Sequence, residues 1–89
     1  MTEPATDRAR PTFVVCLDDG GHTLSLERRK VYRTVTDTLA ESHGMLRVID
    51  ETGEDYLFPA SLFVALTLSE QGIAALVELT PEPATARSR

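Results

Sequence analysis

The stretch VIDETGEDYLFPASLF, residues 48–63, constrains the fold more than any other part of this chain. Two apolar runs flank an acidic tip, and the second run stops at a proline. Met45–Ile49 and Glu54–Phe58 read as paired strands. The four residues between them, Asp50-Glu51-Thr52-Gly53, suit a type I turn with glycine in the left-handed position. Pro59 has no N–H to give to a ladder, so the second strand ends there. Ala60-Ser61-Leu62 then reads as a single tight turn leading into a short strand, Phe63–Thr67.

The same vocabulary recurs upstream. Thr12–Leu17 (TFVVCL) and Lys30–Thr36 (KVYRTVT) are rich in β-branched and aromatic residues, which favour strands. The cluster Asp18–His22 (DDGGH) between them is turn chemistry. The polar connection Asp37–Gly44 has room for one helical turn, with Asp37 as its cap and Gly44 as its stop. After the fifth strand, Thr67 opens a T-L-S-E capping-box pattern. Ile73, Leu76 and Val77 follow at helical spacing, which predicts one amphipathic helix over about 69–79. Gly72 weakens that helix by about 1 kcal/mol relative to alanine, and Pro81 limits its end.

Five short strands, tight turns and one terminal helix predict a mostly β fold, a small antiparallel barrel with a C-terminal α-helix. Closure would remove the exposed edges that an open five-stranded sheet leaves. With 89 residues there is one domain at most. We assign it to residues 12–80. The similar ends, EPATDRAR at 3–10 and EPATARSR at 82–89, have no apolar period, so residues 1–11 and 81–89 read as disordered tails.

Charge narrows the range of partners. The net charge is −5. Between residues 12 and 80 eleven acidic side chains face five basic ones, so that part carries −6 and the ends together +1. Such a surface repels phosphate backbones, which disfavours general nucleic-acid binding. No apolar run reaches 18 residues, so no membrane span is expected. The N-terminus lacks the hydrophobic stretch of a secretory signal. Cys16 is the one cysteine; a single thiol in an unexported chain fits a reducing cytoplasm.

The residues L-F-P-A-S-L-F-V, 57–64, resemble the end of a Src-homology-3 domain, where a hydrophobic-Pro pair leads through a tight turn into an aromatic and the last strand. More specifically, V-V-C-L-D-D-G-G at 14–21, K-V-Y-R-T-V at 30–35 and R-V-I-D-E-T-G-E-D-Y-L-F-P at 47–59 look like a family of small bacterial and phage proteins. The resemblance implies a Src-homology-3-like barrel and brings no activity with it. That family usually has glycine just before the lysine of the second strand; this chain has Arg29 there. The loop 36–44 is also longer.

Several groups could carry chemistry. Tyr32, Tyr56, Phe58, Pro59 and Phe63 form an aromatic-proline set with two readings: packing, with Phe58 and Phe63 in the core and the tyrosines half-buried, or a surface that could bind a protein partner. The chain has no tryptophan and lacks the tyrosine-rich strand of signalling Src-homology-3 domains, so recognition of proline-rich ligands in their manner is not expected. A barrel this small cannot enclose Tyr56, Leu57 and Phe58 together unless the terminal helix covers the second face. Arg28, Arg29, Lys30 and Arg33 make the single basic cluster: either a nucleic-acid contact or counter-ions for Glu27 and the acidic tip. Cys16 with Asp18, Asp19 and His22 lacks the paired ligand spacings of a structural metal site, and Cys16 reads as a buried thiol. His22 and His43 sit beside glycine in loops with no nucleophile at a suggestive spacing. Asp50, Glu51, Glu54 and Asp55 on a wet tip would all stay ionised, which suits solubility better than acid–base catalysis.

The expectation is therefore a non-catalytic interaction or regulatory module, with no cofactor and no metal. The alternative is a nucleic-acid-associated accessory protein using the basic cluster. The chain is expected to be a monomer or a weak homodimer through the Tyr56–Phe63 surface.

Overall fold

The computed structural model describes residues 12–81, so the two segments assigned as tails lie outside the described residues, apart from Pro81. Five strands form: β1 (Thr12–Cys16), β2 (Val31–Val35), β3 (Met45–Ile49), β4 (Asp55–Pro59) and β5 (Phe63–Leu66). A short helix α1 (Thr38–Ser42) precedes β3, and α2 (Glu70–Leu79) closes the described part. Each strand lies within a residue of its expected limits. All pairings are antiparallel, in the order β4-β3-β2-β1-β5.

The connection between β4 and β5 dictates the shape of the sheet. These strands occupy opposite edges, yet only the 3-10 turn Ala60–Leu62 joins them. From Pro59 to Phe63 the backbone reaches about 15 Å at most. The outer strands of a flat five-stranded sheet stand about 19 Å apart. The sheet must therefore curl until its edges approach at this end, where the rings of Phe58 and Phe63 meet edge-on at 6.2 Å. Three backbone bonds pin the turn: Ala60 N–H donates to Gly44 O (2.8 Å), and Leu17 N–H (2.7 Å) and Asp18 N–H (3.4 Å) both donate to Leu62 O. No ladder joins β4 to β5 among the described residues, so the sheet is open.

Strand alternation sorts the side chains. Val14, Cys16, Tyr32, Val48, Phe58 and Phe63 share the concave face and form the core, joined by Leu26 from the loop after β1. Burying side chains of this size contributes about 1.5–3 kcal/mol each. On the opposite face Phe13 and Ile49 are also buried. There α2 lies over β2 and β3, with Leu76 and Leu79 across a cavity of about 380 Å³ from Val31 and Ile49. No residue of α2 is fully buried, so the helix rests on the sheet rather than sinking into it.

Caps follow local chemistry, with one correction. Asp37 Oδ1 accepts from Ala40 N–H (3.0 Å) at the start of α1, and Gly44, at φ +75°, ends that segment. For α2 the cap is Ser69, whose Oγ accepts from Gly72 N–H (3.1 Å). Thr67, expected to open the capping box, stays outside, because the helix starts only at Glu70.

Candidate functional site

The structure divides the aromatic-proline set between the core and the surface. Tyr32, Phe58 and Phe63 are core residues, 3%, 4% and 8% exposed. Their positions in β2, β4 and β5 put them on the concave face, where the curled sheet encloses them. The Tyr32 side chain also braces the structure. Its hydroxyl accepts from Glu27 N–H (2.8 Å) and ties the loop between β1 and β2 to the core. Burial pushes its phenol above the ordinary value. Tyr56 and Pro59 remain exposed, on opposite faces of β4, and Leu57 between them is exposed as well.

The convex face of β3 and β4 is set by register. Leu57 stands opposite Arg47, and Pro59 opposite Met45. The Arg47 guanidinium is held from two sides, by Asp37 at 2.9 Å and Asp55 at 3.8 Å. The Ala40 N–H and the Arg47 guanidinium together hold the Asp37 carboxyl below its usual range. The result is a short apolar strip, Leu57 with Pro59 and half-buried Met45, beside a cation whose charge is already met.

The basic cluster is likewise divided. Arg28 and Arg29 are exposed on a turn, while Lys30 and Arg33 are half-buried. Lys30 pairs with Glu51 of the acidic tip and, at 4.0 Å, with Glu27, and its ammonium stands 5.7 Å from the Tyr32 ring centre. Arg33 lies on the convex face opposite Phe13 and borders the cavity under α2. Lys30 is thus a counter-ion for acids nearby, as one of the two readings of the sequence holds.

The other candidates are accounted for by structure. Cys16 is fully buried, and its thiol, donating to Asp18 O at 3.4 Å, is pushed up by burial, so little nucleophilic thiolate forms. Asp18 and Asp19 accept from Gly20 and Gly21 N–H within their own turn. The His22 ring packs edge-on against Phe58 at 5.1 Å, and His43 is exposed at the end of α1. Asp50 organises the hairpin tip, accepting from Thr52 N–H (2.8 Å), Thr52 Oγ1 (2.6 Å) and Glu54 N–H (3.3 Å). Glu51 and Glu54 are exposed there. Among the described residues no group of three or more His, Cys, Asp or Glu could hold a metal ion. No helix among them is long and apolar enough to cross a membrane.

What the residue-by-residue reading missed is the exposure of Leu17, Leu57 and Val64, at 55%, 42% and 48%. A signal for two of the three was available. Residues 56–69, YLFPASLFVALTLS, contain no charged side chain in a chain that is 26% charged. That run contains most of β4 and all of β5, the two edge strands.

No family model, curated protein or solved structure matches the chain. The fold itself defines the class: a mostly β domain of five antiparallel strands in one curled sheet with a C-terminal helix.

Proposed function

We propose that this chain is a non-catalytic interaction module, folded as a small Src-homology-3-like barrel, that contacts a partner protein through β4. The barrel reading draws on the strand order and on the short bridge between the edge strands. The contact reading rests on one observation: Leu57 and Tyr56 stand 42% and 49% exposed on an uncharged edge strand segment. Apolar side chains held out on a rigid strand cost little to desolvate, so a complementary surface gains from covering them. The adjacent acid Glu54 would favour a partner with cations at its rim. The chemistry of the remaining polar groups also favours binding over reaction, since they serve turns, caps and ion pairs.

Titration of the isotope-labelled chain with fractionated cell lysate tests this. Amide shifts are expected at Tyr56 and Leu57, and Leu57→Lys is expected to abolish them. If no fraction moves either amide, the reading is wrong. A nucleic-acid role has weaker support, because Lys30 is already paired and Arg33 lies apart from Arg28 and Arg29.

A further inference from the structure

We infer that the cavity between α2 and the sheet is a binding site for a small amphipathic anion, a carboxylate on a medium-length apolar body, with Arg33 as its counter-ion. This site is separate from the β4 contact and does not rest on it.

The cavity lies where two apolar layers do not close on each other. Val31 and Ile49 form its floor on the convex face of β2 and β3, and Leu76 and Leu79 form its roof on α2. An amphipathic helix normally buries its apolar stripe. Here no residue of α2 is fully buried, and Leu79 stands 77% exposed at the cavity. Close-packed interiors leave few voids larger than a water molecule. A space of about 380 Å³ belongs instead at the small end of ligand pockets, which run from roughly 300 to 1,000 Å³. Four aliphatic side chains in floor and roof call for a small occupant with an apolar body.

Charge selects the head group. Four charged side chains border the cavity: Lys30, Arg33, Asp50 and Glu51. Three of them are already matched. Lys30 pairs with Glu51. The Asp50 carboxylate serves the hairpin tip, where Oδ1 accepts from Thr52 N–H, Thr52 Oγ1 and Glu54 N–H. The Tyr32 and Thr80 hydroxyls at the same cavity are engaged as well, on Glu27 N–H and Leu76 O. Arg33 is the exception: among the described residues its guanidinium has no ion pair and no side-chain hydrogen bond. It is half-buried, so the charge has given up part of its water without gaining an anion. A carboxylate meets the guanidinium fork through two parallel bonds, and its apolar tail then lies between helix and sheet. A cationic head group would meet Arg33 while the nearby acids are already occupied.

Octanoate, octanol and octylammonium share a chain length and differ in charge. Titrating each into the isotope-labelled full chain at neutral pH provides the test. Octanoate is expected to shift the amides of Val31, Arg33, Ile49, Leu76 and Leu79 saturably. It should bind about tenfold tighter than octanol or octylammonium, the difference that one charge-assisted pair makes. Arg33→Gln should abolish that preference and leave octanol binding unchanged. Where R33Q does not fold, the ratio of octanoate to octanol affinity in the unmodified chain decides by itself. Leu57→Lys, on β4, should leave octanoate binding unaltered, so failure of the β4 contact and failure of this site read separately. Octanoate shifts that never saturate, or that fall outside the cavity, overturn the inference. Octanol or octylammonium binding as tightly as octanoate overturns it too.

Discussion

The turn at Asp50–Glu54 and the turn at Glu27–Lys30 both need a residue with positive φ, and they fill that position differently. At the hairpin tip Gly53 adopts φ +90°, with its N–H donating to Asp50 O (3.1 Å). Before β2 the position belongs to Arg29, at φ +69°, the one described non-glycine residue in that region. Arg29 N–H donates to Cys16 O (2.6 Å), and Cys16 N–H donates to Lys30 O (2.9 Å). Two residues thus oppose one, a β-bulge of the kind that normally carries glycine. A left-handed L-residue costs about 1–2 kcal/mol. The tip is built from local chemistry alone, with Asp50 collecting its donors. The Arg29 turn is held against its own preference by the ladder to β1 and by the Tyr32 hydroxyl on Glu27. One turn therefore shapes itself, and the other is shaped by what surrounds it.

Substitutions can break or sharpen this contrast. The largest effect is expected at the self-made turn: Gly53→Val should destabilise the fold by about 2 kcal/mol, since a β-branched residue resists φ +90°. A denaturant titration reads this directly, and an unchanged midpoint would show that the tip is not confined to this conformation. Next comes the support of the other turn. Tyr32→Phe leaves Glu27 N–H without its acceptor and should cost about 1–2 kcal/mol, with faster amide exchange at Glu27. The imposed conformation itself can be relieved. Arg29→Gly removes about 1–2 kcal/mol of strain and adds about 0.5–1 kcal/mol of unfolded-state entropy, so a net gain of about 0.5–1 kcal/mol is expected. A loss of stability on Arg29→Gly would mean that the arginine side chain contributes more than its backbone costs.

The smallest effect is a matter of pH. The native carboxyl of Asp37 lies below its usual range, so its contribution is fully present above the unfolded value of about 3.9 and is lost as pH falls through the native value. Asp37→Asn should flatten the acid limb of the stability curve while leaving the curve's shape near neutrality unaltered. An acid limb identical to that of the parent would remove Asp37 from the account.

Much of the fold was legible because its signals are local. Proline ends β4, glycine and Asp50 close the hairpin, Asp37 caps α1, and each acts within a few residues. Leu26 was not legible: it lies in a loop with no period, and only the turn folding it back onto His22 O (2.8 Å) brings it into the core. The candidate site was legible only in part. Alternation placed Tyr56 and Phe58 on one face of β4, yet one is exposed and the other buried, because cover depends on how far the sheet curls at each end. The uncharged run 56–69 was there to be read as well, but its meaning depends on knowing that it supplies both edges.

By itself, then, the sequence determined the strands, their turns, the class of the fold and the acidity of its surface, since dihedral preference and hydrophobic period act over short range. The tertiary structure alone decided which side chains meet solvent. Exposure is settled by what lies across the sheet, and residues that meet there are distant along the chain.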